Sequence, residues 1–183
     1  MPSGTLPELP QPWRAFLSDV DRLLPRLVEI HCLGGFVAAL YYDLPRPTND
    51  LDYIEVVPHE ATAMLQEIAG PESALAKKHR LYFQHVGVAS LPDSYAERLT
   101  QLLHGTFQRL RLFALDPHDL ALSKLTRNSP IDREDVAQLA RAVPLDPALL
   151  RTRYERELRP ILIGDRQWHD QTLEMWIEAY FRS

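Results

Sequence analysis

A Gly34-Gly35 pair interrupts an apolar stretch, and its neighbours limit the fold more than any other part of the sequence. The chain has 183 residues and only 7 glycines, so two adjacent ones mark a place where the backbone needs freedom that other residues lack. Leu27 to Leu33 is a short apolar run, and Phe36 to Tyr42 is small and apolar enough for a buried helix. Pro45 and Pro47 break that pattern. Leu51 to Val57 then alternates, ends β-branched and stops at Pro58. The order predicts strand, glycine turn, helix, loop and strand.

The rest of the chain falls into place around this unit. Residues 1–12 carry Pro2, Pro7, Pro10 and Pro12 and read as a mobile arm. From Trp13, Phe16, Leu17, Val20, Leu23, Leu24 and Leu27 recur at helical spacing. His59 to Ala69 reads as a helix, Leu81 to Val88 as a strand, residues 94–103 as a helix and Leu110 to Leu115 as a strand. Asp116-Pro117, Ser129-Pro130 and Asp146-Pro147 each place a capping side chain before a proline at the first helical position. Ser129 and Asp132 form a capping box variant. A last helix is predicted over 168–181. The expected class is α+β, with a small mixed sheet flanked by helices over 13–115 and an α-helical C-terminal half, 116–183, packed on it.

Several function classes drop out. A single cysteine, Cys32, excludes a disulfide framework and any multi-cysteine metal site, and reads as a small buried hydrophobe. The histidines stand singly, against a zinc site. No apolar stretch approaches the roughly 20 residues of a membrane helix, and the N-terminus lacks a signal pattern, so a cytoplasmic protein with no membrane partner is expected. A net charge of -5 argues against a protein that coats nucleic acid. The one basic cluster, Lys77 to Arg80, reads as a solvated loop that could meet an RNA phosphate.

Chemistry concentrates at Gly34, Gly35, Arg46, Thr48, Asp50 and Asp52. Residues two apart on a strand share a face, so Asp50 and Asp52 present carboxylates about 7 Å apart, suited to a hard cation such as Mg²⁺. Magnesium commonly bridges carboxylates to substrate phosphates. A glycine turn opening a helix lets backbone N–H groups approach a triphosphate.

The segment HCLGGFVAALYYDLPRPTNDLDYIEVV (His31 to Val57) resembles the signature of the nucleotidyltransferase superfamily of DNA polymerase β-like fold. The loop from Arg46 to Asp52, and LDPHDLALSKLTRNSPIDREDVAQLA (Leu115 to Ala140), resemble the branch of AbiEii-type toxins of type IV toxin–antitoxin systems and related bacterial proteins. The tail RYERELRP and TLEMWIEAYF extends the likeness over roughly residues 13 to 183. The resemblance implies a metal-dependent enzyme in which Asp50 and Asp52 hold Mg²⁺ or Mn²⁺. Gly34, Gly35, Arg46, Thr48 and Lys124 would contact the NTP, with transfer to tRNA or a protein acceptor and possible pairing with a cognate antitoxin. The sequence departs from the pattern at one point. The strand expected to carry a third carboxylate, Leu81 to Val88, holds Gln84 and His85 instead. His85 is the candidate substitute base, and Asp132 or Asp135 the candidate distant carboxylates. The alternative is a catalytically degenerate fold kept as a binding or regulatory module.

Overall fold

The structure, a computed structural model, describes residues 9–44, 47–87 and 89–181. They divide into two compact units. Unit 1 takes the described residues of Met1–Gly87 with Thr100–Ala114, and unit 2 those of Val88–Leu99 and Leu115–Ser183.

Unit 1 runs α1 (Trp13–Leu23), β1 (Val28–Leu33), α2 (Gly34–Leu40), β2 (Asp50–Val57), α3 (Thr62–Ala69), α4 (Ala74–His79), β3 (Tyr82–His85), β4 (Thr100–Leu102) and β5 (Leu110–Ala114). The strands form one sheet in the order β3-β2-β1-β5-β4. β1 pairs antiparallel with β2 and parallel with β5, β2 pairs parallel with β3, and β4 antiparallel with β5. The sheet is therefore mixed and the fold α+β. Alternate residues Ile30, Cys32, Leu51, Tyr53, Phe83, Leu112 and Ala114 are buried, which puts one sheet face under helices. Phe16 of α1 meets Phe83 edge-on at 5.5 Å, and Trp13 meets Phe36 of α2 at 4.7 Å. The Asp21 carboxylate accepts from the backbone N–H groups of Gln108, Arg109 and Leu110, so α1 also fixes the start of β5.

Two expectations are corrected. The helix over 94–103 is a 3₁₀ turn, Tyr95–Arg98, followed by β4. Leu99, Leu102 and Leu103 fit helical spacing, but Thr100, Gln101 and Leu102 pair with Ala114, Phe113 and Leu112 of β5, and long-range pairing overrides local period. The basic cluster is the last turn of α4 and not a loop. Ser73 caps that helix by accepting from Ala76 N, and Arg80 ends it at φ 58. Lys78 and His79 both lie 2.7 Å from Asp19, and their hydrogen bonds, Lys78's first, hold that carboxyl down at about 2. Residues 1–8 of the predicted arm lie outside the described residues; Leu9 is buried.

Unit 2 holds α5 (Pro117–Leu122), α6 (Pro130–Ala142), α7 (Pro147–Arg153) and α8 (Arg166–Tyr180). Asp116, Ser129 and Asp146 cap the first three as predicted, and Ser129 with Asp132 closes a capping box. Arg98 bridges Asp119 and Glu157, while Arg153 bridges Asp116 and Asp119. Trp176 of α8 is buried and donates to Asn128 Oδ1 at 3.2 Å. Among the described residues no helix is long and apolar enough to cross a membrane.

Burial alone would raise the Asp132 pKa, yet hydrogen bonds from Arg127 and Ser129 hold it at about 2, below its usual 3.8. Stability from this group is therefore complete above pH 4 and lost as pH falls towards 2. Asp132→Asn is expected to cost about 2 kcal/mol at pH 7. Urea denaturation at a series of pH values should show the difference from wild type narrowing between pH 4 and 2. A constant gap would show that the native state does not hold this carboxylate ionised.

Candidate active site

β1 ends at Leu33, which stands opposite Asp52 of β2. The chain then enters α2 through Gly34 at φ +72, a left-handed conformation that favours glycine. A Cβ on Gly34 would lie 2.2 Å from Asp52 Oδ2 and 3.0 Å from its Cγ. The carboxylate of Asp52 thus occupies the space that every other residue would fill. A Cβ on Gly35 would come within 3.3 Å of Thr48 Oγ1. That hydroxyl lies 2.7 Å from Asp50 Oδ1 and 3.0 Å from the Asp50 carbonyl oxygen. Gly34, Gly35, Thr48, Asp50 and Asp52, separate in sequence, form one cluster.

Strand alternation decides which side the carboxylates take. Leu51 and Tyr53 are fully buried, so Asp50 and Asp52, half-exposed, belong to the opposite face. In the parallel pairing with β3, Asp50 stands beside Tyr82, Asp52 beside Gln84 and Tyr53 beside His85. Tyr82 and Gln84 therefore share the carboxylate face. His85 shares the side of Tyr53, with the two rings 5.1 Å apart, which removes it as a substitute base. Tyr82 is a residue that sequence reasoning missed. Burial, then the charges of Asp50 and Asp52 and a hydrogen bond to Asp50, push its phenol pKa up. Its signal was the alternation of LYFQ: a buried Phe83 leaves Tyr82 and Gln84 on the other side.

The family model for nucleotidyltransferases of unknown function (DUF6036) matches residues 15–182. The chain belongs to that family. No curated protein and no solved structure matches it. The nucleotidyltransferase superfamily read from the glycine pair and the Asp-x-Asp strand is thus the right one.

In this nucleotidyltransferase domain the donor set suits one hard divalent cation. Two carboxylates share one face, one in a glycine cradle and the other oriented by Thr48; Mg²⁺ commonly takes one or two carboxylates and completes its shell with phosphate oxygens and water. Among the described residues no group of three or more His, Cys, Asp or Glu could hold a metal, and the residue beside Asp52 on β3 is Gln84, not a carboxylate.

Lys124 belongs to unit 2, two residues past the end of α5, where its ammonium is buried 2.7 Å from Asp135 Oδ2 and 3.8 Å from Asp132 Oδ1. It lies in the turn that follows the helix and has a structural partner. Asp132 is engaged by Arg127 and Ser129. Arg46 lies outside the described residues. Cys32 is buried and its thiol pKa is pushed up by burial, as a small core hydrophobe's would be.

Gly34→Ala tests the cradle. It combines a strained φ with a clash on Asp52, and is expected to destabilise the protein by about 2 kcal/mol or more in chemical denaturation. Gly87→Ala, where a Cβ meets nothing within 4 Å, should change stability far less.

Proposed function

We propose that this domain is a Mg²⁺-dependent nucleotidyltransferase, also able to use Mn²⁺, that moves a nucleotide from an NTP to a macromolecular acceptor, tRNA or a protein side chain. The observation that carries the reading is the seating of the Asp52 carboxylate in the space left by Gly34, with Asp50 beside it on the same strand face and held by Thr48. Asp50 and Asp52 would hold the cation, which when bound supplies positive charge against the phosphates. The Thr48 hydroxyl fixes the Asp50 carboxylate before substrate arrives, so little reorganisation is needed at the moment of reaction. Gly34 and Gly35 put backbone without side chains next to both carboxylates, where a triphosphate can come close. An acceptor hydroxyl oxygen bonds to the α-phosphorus as the bond to the leaving pyrophosphate breaks. The hydroxyl proton passes to water, since His85 lies on the other face. Phosphoryl transfers of this kind rest mainly on positioning and charge stabilisation. The likeness of Leu115 to Ala140 to AbiEii-type toxins extends the proposal to a toxin held in check by a cognate antitoxin.

A second reading has its own support. With Gln84 in place of a carboxylate beside Asp52, the domain could bind Mg²⁺ and NTP without turnover, as a regulatory module. Incubation with each α-labelled NTP, Mg²⁺, total RNA and protein separates the two. Transfer is expected to place label on RNA or protein and to fall at least about 100-fold in Asp50→Asn and Asp52→Asn. Titration heats with Mg²⁺ and NTP that are lost in both variants, without label transfer, would favour the module.

A further inference from the structure

Tyr82, which the transfer reaction above does not use, stands where an acceptor hydroxyl is needed. It lies on β3, an edge strand of the sheet. Buried Leu81 and Phe83 on either side of it pin the strand, and its backbone N–H donates to the Asn49 carbonyl oxygen at 3.2 Å. Its partner on β2 is Asp50, and its phenol is hydrogen-bonded to the Asp50 carboxylate. The residue is half-buried. A hydroxyl is therefore held against one of the two carboxylates proposed to bind the cation, on a side chain with only two torsions to set.

Strand order sets the direction of approach. β2 lies between β1 and β3. The glycine turn crowds Asp52 from the β1 flank, where Leu33 stands opposite Asp52 and a Cβ on Gly34 would meet Asp52 Oδ2. Tyr82 meets Asp50 from the β3 flank. In transfer at phosphorus the attacking and leaving oxygens lie roughly in line, on opposite sides of the phosphorus. With the leaving pyrophosphate drawn to the open backbone of the glycine turn, the α-phosphorus over the carboxylates turns its far side to β3. That strand reads Tyr-Phe-Gln-His, so the hydroxyl it offers is Tyr82's. Thr48 also carries a hydroxyl, but on the glycine side, 3.3 Å from the place of a Gly35 Cβ and bonded to two oxygens of Asp50.

We propose that Tyr82 is an acceptor of the nucleotide, so that the chain modifies itself at the edge of its own site. The phenol oxygen bonds to the α-phosphorus of the NTP as the bond from that phosphorus to the leaving pyrophosphate breaks. The phenol proton passes to water, and the product is a phosphodiester joining Tyr82 to a nucleoside. The proposal rests on the nucleotidyltransferase reading above and names a protein side chain as its acceptor. A hydroxyl already placed beside Asp50 avoids the loss of translational and rotational freedom that an acceptor arriving from solution must meet. The adduct leaves an ester where the hydroxyl stood, so each chain reacts once.

The full chain, incubated with Mg²⁺ and each of ATP, GTP, CTP and UTP in the absence of RNA and other protein, is read by intact mass and by peptide mapping. With at least one NTP the chain is expected to gain a single nucleoside monophosphate, on the peptide that holds Tyr82. A chain that leaves its expression host already carrying that adduct supports the proposal equally. The fraction modified at a given time should not change when the protein is diluted, as attack within one chain requires. Tyr82→Phe should lose the adduct while its titration heats with Mg²⁺ and NTP persist, and Asp52→Asn should lose it with Tyr82 still in place. An unmodified wild type, an adduct on another residue, modification that slows on dilution, or heats lost in Tyr82→Phe overturns the self-modification. Label passing from NTP to RNA or to an added protein would in that case leave the nucleotidyltransferase reading intact. No transfer to any acceptor overturns both.

Discussion

The whole arrangement at Asp52 hangs on an atom that residue 34 does not have. Leu33 stands opposite Asp52 in the antiparallel register, so the first residue after β1 must turn beside that carboxylate. A side chain at the turn would overlap the carboxylate, and an L-residue at φ +72 would add backbone strain of order 1–3 kcal/mol. With glycine there, the end of β1, the start of α2 and the placement of Asp52 satisfy one another. Gly35 and Thr48 repeat the relation less tightly one residue further on. The glycine pair makes room for the protein's own acidic and hydroxyl groups.

Features with local causes were legible in the sequence. The capped helix starts at Asp116, Ser129 and Asp146 appear where the Asp-Pro and Ser-Pro pairs placed them, because a cap is settled by residues two or three positions apart. The strand, glycine turn, helix and strand from β1 to β2 were legible because periodicity and breakers agree there. What was not legible depends on partners far along the chain. Thr100 to Leu102 becomes a strand because β5 offers it a ladder. Lys78, which stays exposed, and His79 both meet the Asp19 carboxylate some sixty residues earlier. The side taken by His85 follows from the register of β3 on β2, which no short window of sequence contains. For Tyr82 the side is set locally by the buried Phe83, but its place beside Asp50 follows from the same register.

Unit 2 carries charges where a core would be expected to carry none. Asp119 is fully buried, between Arg98 and Arg153. Removing one member of such a network usually costs about 3–5 kcal/mol, because the others stay buried without compensation, while replacing the whole set by apolar groups can be neutral. The arginines come from distant segments and converge on one carboxylate, so the network fixes which segments meet more than it adds to stability. Asp116 serves twice, capping α5 and accepting from Arg153.

The division into units does not follow the chain, and this bears on the order in which the protein can be built during synthesis. Among the described residues the five strands lie within the first 114 positions, so the sheet holding Asp50 and Asp52 is complete in sequence before any of α5 to α8 exists. Residues 89–99 leave the ribosome early but belong to the later unit. Arg98 must wait for Asp119 and then for Glu157, 59 residues on. Until then this segment is a charged tether inserted between finished strands. Once residues up to 114 have cleared the ribosome, every strand of the sheet that carries Asp50 and Asp52 is outside, while the second unit is represented by a single arginine-bearing loop.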